Sequence, residues 1–315
     1  MKRILSGVLV AFMAFGIVGC FGRSTSPTVG TVNGEAVSEE LLNYFIMESR
    51  NMLASANIHS DPDFWETGEI GGMNASEFAR QHAIEQVTMA LVVRQQARAL
   101  GHNLTAEDRA DIQQNRERFI AQHGSVEEFN RAMADIGVSD RLFTELMTLG
   151  KYEEVLFNAL RSEWTNEDLR EYYAQEMYKI QHVLIQTSDE VGFPFSPDEI
   201  DEARTTINAI AARAAYGEDF RTLVEAYSQD PGSFSVPDGY LMGRFNTGMV
   251  HPFFEAAVAL EEGEISDIVE TSFGFHLLKR FPTVPEQFDE NINQVRNLFW
   301  MSLRQSWVDS ATVRF

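Results

Sequence analysis

One cysteine in 315 residues excludes an intramolecular disulfide and any paired-cysteine metal or redox motif. Gly-x-Ser-x-Gly, His-Glu-x-x-His and Gly-x-x-x-x-Gly-Lys are also missing, so the short patterns of serine hydrolases, zinc peptidases and phosphate-binding loops have no place here. Basic charge is scarce: 25 Lys and Arg face 47 Asp and Glu, a formal net charge of −22. A field of that sign repels phosphodiester backbones and anionic head groups and suits basic or cationic partners. Nucleic-acid binding is thereby excluded. Asp61-Pro-Asp63 with Glu66 fits no calcium-loop spacing and reads as an ordinary acidic loop, so no metal and no cofactor is implied. The one long apolar run, Ile4 to Val18, is shorter than the ~20 residues a spanning helix needs.

That run follows Lys2 and Arg3 and makes residues 1–19 a signal peptide. It ends Ile17-Val-Gly-Cys20, which resembles the bacterial lipobox, whose cysteine becomes the lipidated mature N-terminus. The resemblance implies an exported bacterial lipoprotein, anchored through Cys20 to the outer face of the cell membrane, or to the outer membrane of a diderm cell. A diacylglyceryl group brings two chains, which suffice for stable anchoring where one does not. An uncleaved anchor with an incidental cysteine is the other reading. Residues 20–28, with Gly22, Ser24, Ser26 and Pro27, read as a tether.

The length suits two domains, and 44% apolar residues can build sizeable cores. Val29 to Val37 alternates around an Asn33-Gly34 turn signal and predicts a hairpin. Helical periodicity follows from Ser38 to Ala56, then a loop with Asp61-Pro62 and Gly71-Gly72, then successive amphipathic helices from Ala75 to Leu160. Ile84, Val87, Leu91 and Val92 keep the three-to-four spacing; Gly101 ends that helix and Thr105 caps the next. Ser125-Val-Glu-Glu128 is a capping-box signature, and helices near 139–160 and 165–177 complete the set.

Between Lys179 and Arg280 the composition changes to strands. Lys179-Ile-Gln-His-Val-Leu-Ile-Gln186 and Gly274-Phe-His-Leu-Leu-Lys-Arg280 each carry one histidine among apolar residues. Alternation puts Ile180, His182 and Leu184 on one face, and likewise His276 and Leu278. Taken alone, each histidine fits a satisfied core residue. Tyr227-Ser-Gln-Asp-Pro-Gly-Ser233, Gly248-Met-Val-His-Pro-Phe-Phe254 and Gly263-Glu-Ile-Ser-Asp-Ile-Val269 lie between the two strands.

In this order the elements resemble a parvulin-type peptidyl-prolyl cis/trans isomerase domain. The resemblance implies residues 176–282 as that domain, a four-stranded antiparallel sheet with surrounding helices and the two histidine strands central. It implies a hydrogen-bonded pair of imidazoles, His182 and His276, beneath the substrate. Asp230 falls where such domains carry cysteine or aspartate; the same residue also reads as a turn residue before Pro231-Gly232. Met249, Phe253 and Leu241 match the proline pocket, and Phe273 would add an apolar wall. Pro252 suits the first turn of a helix. One departure stands out: the family's Gly-Gly-x-Leu-Gly-aromatic-Phe run is here Asp238-Gly-Tyr-Leu-Met-Gly-Arg-Phe245, with one glycine replaced and one residue inserted on this reading. The loop Thr187 to Ser196 is acidic and apolar, which disfavours phosphate-directed specificity.

Residues 29–175 resemble the N-terminal chaperone domain of exported foldases of the SurA and PrsA kind, with Phe288 to Val308 either returning to complete it (283–315) or packing on the isomerase. The fold class is then α+β, a parvulin domain beside a mainly α-helical chaperone domain. The implied function is an exported, membrane-anchored foldase that isomerises X–Pro bonds of unfolded or nascent exported polypeptides. The alternative is a tethered holdase whose parvulin domain binds peptides with little or no turnover. Helical domains of this sort often dimerise, which makes a homodimer a partner state to expect. The reaction breaks no bond, so neither nucleophile nor metal is needed. A 10⁴-fold acceleration asks for about 5.4 kcal/mol of preferential binding to the twisted amide.

Overall fold

The computed structural model describes residues 26–57, 63–70, 72–189, 193–245 and 248–315. The signal segment with Cys20, the Asp61-Pro62 and Gly71 part of the predicted loop, and 190–192 of the acidic loop lie outside the described residues. Contacts divide the chain into two compact units, one from Thr165–Ser302 and one from the residues up to Trp164 with Leu303–Phe315.

The helical unit begins with the expected hairpin, β1 (Thr28–Val32) and β2 (Glu35–Ser38). Asn33 and Gly34 both take positive φ, 50° and 81°, the geometry a two-residue hairpin turn requires. Helices α1 (Glu39–Asn57), α2 (Phe64–Thr67), α3 (Ala75–Ala99), α4 (Ala106–His123), α5 (Val126–Asp135) and α6 (Asp140–Glu163) follow, with a short β3–β4 hairpin (Glu69–Ile70, Met73–Asn74) before α3. Alanines 75, 79 and 83, then Val87 and Leu91, form the buried stripe of α3. Thr105 caps α4 with a full capping box, and Ser125 accepts the Glu128 N–H at the head of α5. The last strand, β9 (Val313–Arg314), pairs antiparallel with β1 and completes a β2-β1-β9 sheet.

The second unit opens with α7 (Asn166–Glu176) and holds a sheet in the order β6-β5-β8-β7, antiparallel throughout. Its strands are β5 (Tyr178–Gln186), β6 (Tyr240–Met242), β7 (Val269–Thr271) and β8 (Gly274–Pro282). The histidine strands are central, as the resemblance implied. They pair over their whole length, with His182 opposite Leu278 and Leu184 opposite His276. Paired residues share a face and alternate residues do not, so the two histidines are diagonal neighbours on one side.

Both faces are covered. Val183, Ile185, Phe275 and Leu277 pack beneath Ile207 and Ile210 of α8 (Pro197–Ala215) and Phe220 and Leu223 of α9 (Phe220–Tyr227). On the histidine face, Tyr178, Ile180, Met242 and Leu278 pack with Phe253 and Ala257 of α10 (His251–Ala259). Pro252 lies in the first turn of α10, as expected. The final helix, α11 (Phe288–Asp309), crosses the division between units, so its first part belongs to the core of the second unit. There Tyr172 of α7 donates to the Leu298 carbonyl at 3.0 Å and meets the Phe299 ring at 5.1 Å, while Tyr173 meets Phe288 at 5.7 Å. These aromatic contacts draw α7 and 288–302 to this unit rather than to the helical one.

Gly274 starts β8 at φ +144°, and a Cβ there would stand 2.2 Å from the Ile185 carbonyl oxygen. Only glycine permits the strand that carries His276 to begin against β5. Gly274→Ala is expected to destabilise this unit by roughly 3 kcal/mol or more in urea unfolding. A loss under about 1 kcal/mol would mean that the strand end shifts freely.

Candidate active site

His182 and His276 are almost fully buried, at 6% and 3% exposure. Their Nδ1 atoms are 3.1 Å apart, with ring planes inclined by only 13°. Phe253 stands edge-on to both, 5.0 and 5.4 Å between ring centres. His182 Nε2 reaches Asp230 Oδ2 at 2.9 Å, and His276 Nε2 reaches Thr271 Oγ1 at 2.8 Å. The result is a line of four side chains running across the sheet, its two imidazoles buried and its ends half-buried.

Asp230 is brought to this line by the edge of β5. Beyond β6, residues 228 and 229 take over the strand's free backbone groups: Gln229 N–H donates to the Leu184 carbonyl at 2.8 Å, and the Ser228 hydroxyl accepts from Leu184 N–H at 3.2 Å. Asp230 then caps the 3₁₀ turn Pro231–Phe234, accepting the Gly232 N–H on Oδ1 at 3.2 Å. The turn role and the site role therefore coexist in one residue. Its Oδ2 accepts from His182, from Ser233 Oγ at 2.9 Å and from the Tyr240 hydroxyl at 2.6 Å.

The charges follow from these partners. Burial opposes ionisation of Asp230, yet the hydrogen bonds from His182 and Tyr240, attraction to the His182 ring and the bond from Ser233 outweigh it and hold the carboxyl well below the usual range. Burial and the neighbouring carboxylate push the Tyr240 phenol above its ordinary range. Burial pushes His276 down to about 3, with His182 adding to that effect and Asp230 opposing it. His182 donates through Nε2 to the carboxylate, one proton is shared between the two Nδ1 atoms, and His276 Nε2 is hydrogen-bonded to the Thr271 hydroxyl.

Met249 is half-buried and packs with Phe253 in the cluster over Ile180 and Leu278. Leu241 is elsewhere. It pairs with Lys179, which puts it on the face opposite His182, and Met242 beside it packs with Phe253. The inserted residue of the sequence reading is the cause of the error. Counted back from Gly243, no insertion is needed: Met242 stands at the family's leucine and Tyr240 at its second glycine. A one-residue change of register moves a side chain to the other face. Phe273 is also not an enclosed wall; it is 54% exposed at the turn between β7 and β8. Sequence reasoning did not find Tyr240, Ser233 or Thr271, whose only signal was proximity to the matched motifs. A cavity of about 290 Å³ opens beside this polar line, with His182, Tyr240, Ile180, Val224, Phe234 and Val236 in its wall.

Residues 182–281 match the family model described as a PPIC-type PPIase domain, and residues 1–133 match one described as a SurA-like N-terminal domain. The second unit is thus a parvulin-type peptidyl-prolyl isomerase domain. Among curated proteins, the foldase protein PrsA of Geobacillus kaustophilus is 32% identical over 151 residues, 48% of this chain and 47% of that protein. The match thus spans about half that relative's length. PrsA of Caldanaerobacter subterraneus is 23% identical over 92% of this chain and 85% of its own. A crystal structure of the peptidylprolyl isomerase PrsA from Bacillus anthracis covers 72% of this chain and 96% of its own, at 22% identity and a TM-score of 0.29.

His276 makes the unit acid-sensitive in a definable window. An imidazole titrates near 6.5 in the unfolded chain and at about 3 in the fold. Between those values the unfolded state binds more protons, so stability falls as pH drops below about 6.5. Asp230, whose folded value is depressed, contributes stability present above about pH 4 and lost only below it. Urea midpoints followed on β5 resonances should therefore fall from pH 7 to pH 5, with a slope of up to about 1.4 kcal/mol per pH unit. His276→Leu should flatten the profile; a flat wild-type profile would refute the assignment.

Proposed function

We propose that this chain is an exported foldase that catalyses cis/trans isomerisation of X–Pro bonds in unfolded polypeptides. The observation that carries the reading is the Thr271–His276–His182–Asp230 line, its imidazoles buried and closed on one side by Phe253. The barrier to be lowered is amide resonance, about 18–20 kcal/mol. In the twisted state the carbonyl and nitrogen lose conjugation, so the nitrogen regains a lone pair that can accept a hydrogen bond. Met249, Phe253 and Met242 offer an apolar seat for the proline ring. The imidazole pair beneath it presents a fixed polar floor that needs no reorganisation during rotation. Four hydrogen bonds already occupy the Asp230 carboxylate, so it orients His182 rather than touching the amide.

Isomerisation of proline tetrapeptides by the mature chain, with the residue before proline varied, tests the proposal directly. Acceleration well above background is expected, falling at least about tenfold in Met249→Ala as the apolar seat is lost. No acceleration by a folded wild-type chain would leave the alternative, a holdase that uses this scaffold to bind peptides.

We further infer export and anchoring through a lipid on Cys20, with unfolded exported polypeptides as clients and a homodimer as its working form. Support for the anchor is the sequence alone, Ile17-Val-Gly-Cys20 after a short apolar run. Labelling with radioactive palmitate in a bacterial host should mark the wild type and leave Cys20→Ala unlabelled. Equal labelling of both would overturn it.

A further inference from the structure

Tyr240 occupies a position where the resembling pattern has glycine, and its side chain is not idle. The pairing of Ile180 with Tyr240 puts its ring on the histidine face, 5.6 Å from the centre of His182. Its hydroxyl donates to Asp230 Oδ2 at 2.6 Å, closer than the 2.9 Å of either His182 or Ser233. A second segment is shaped around the same hydroxyl. A Cβ at Gly232 would fall 1.8 Å from the Tyr240 oxygen, whereas Gly232 is not among the glycines at positive φ. Its lack of a side chain is therefore a matter of space for the phenol, not of backbone conformation. We propose that Tyr240 is a positioning residue of the isomerase site, holding the Asp230 carboxylate and through it the His182 ring. The inference rests on the isomerase reading for its kinetic consequence only.

The surroundings leave Asp230 dependent on these donors. Among the described residues no lysine or arginine pairs with it. Arg221 of α9, which lines the neighbouring cavity, is held by Glu225 at 3.1 Å and Asp238 at 3.3 Å. His276 faces Asp230 only across the His182 ring. The carboxylate's charge thus rests on the His182 N–H, two hydroxyls and one backbone N–H. Losing one donor of a buried anion loosens its geometry and weakens the acceptor that fixes the tautomer of His182. Tyr240 does not touch the reacting amide in this account, so substrate affinity should be insensitive to it.

The test is a cycle of Tyr240→Phe with Asp230→Ala in the full mature chain, assayed on a proline tetrapeptide. Tyr240→Phe alone should lower kcat by about three- to tenfold with KM unchanged. In the Asp230→Ala background it should have less than about a 1.5-fold further effect, since the atom it holds is gone. The carboxyl carbon resonance of Asp230 gives a readout free of turnover. Its titration midpoint should move up in Tyr240→Phe, and Gly232→Ala, which crowds the hydroxyl, should move it in the same direction. An unchanged kcat and midpoint would overturn the proposal, and so would an equal loss in both backgrounds, the mark of a packing role. If neither wild type nor variant accelerates isomerisation, the functional reading fails, and the carboxyl titration alone decides whether Tyr240 holds Asp230.

Discussion

The register between β5 and β8 is the constraint from which the site follows. His182 and His276 meet because Leu184 pairs with His276 and His182 with Leu278. A slip of one residue would send one imidazole into the opposite core with Val183 and Phe275. Their approach through two Nδ1 atoms is demanding, because one must carry a proton and the other must not. Asp230 can only accept, which makes His182 Nε2 a donor, and the Thr271 hydroxyl pairs with the far nitrogen of His276. Unpaired, any of these groups would cost about 1–3 kcal/mol at this depth; paired, they make a floor with one arrangement.

That floor explains how a fold without nucleophile or metal can act on an amide. The task is preferential binding of a twisted bond, about 5.4 kcal/mol for 10⁴-fold. Two or three oriented hydrogen bonds, at about 0.5–1.5 kcal/mol each, supply part of that, and the apolar surroundings of the pocket strengthen them. Phe253 meets both imidazole rings edge-on and so shields the pair while facing the apolar seat. The proton-poor state of His276 suits this role, as burial disfavours a charge on a ring held between the sheet and Phe253. The pair is then an orienting device with no proton to transfer.

What could be read from the sequence was what local rules decide. Hairpin, caps and strands came from turn residues, hydroxyls and alternation: Asn33-Gly34, Thr105 and the faces of 179–186 stand as expected, and Ser125 caps its helix without the return bond from Glu128. His182, His276, Met249 and Phe253 were singled out because each sits inside a matched run, and the structure places the two imidazoles against each other with Phe253 across both. Leu241 was misplaced because its face depends on which residue it meets across the sheet, Lys179, and counting residues does not reveal that. Phe273 was misplaced because the turn before Gly274 lifts it outward. The Tyr240 hydroxyl escaped notice because its partner lies across a 3₁₀ turn that no periodicity announces.

The back of the sheet supplies the remaining support for this arrangement. Lys179 is 6% exposed on the face opposite His182, where burial lowers its pKa while Asp238 and Glu290 oppose that effect. Its ammonium donates to Gln287 Oε1, and Gln287 Nε2 donates to Asp238 at 2.7 Å. Asp238 also takes the Arg221 guanidinium at 3.3 Å. These bonds fasten the residue just before Gly239, whose φ of 95° lets the chain pass within contact of the Ile180 carbonyl. Gly239 leads directly into Tyr240, so the entry of β6 is pinned from behind before its first side chain reaches Asp230. A buried ammonium on one face thereby backs the entry of the strand whose Tyr240 reaches Asp230 on the other, and the strand between them carries His182.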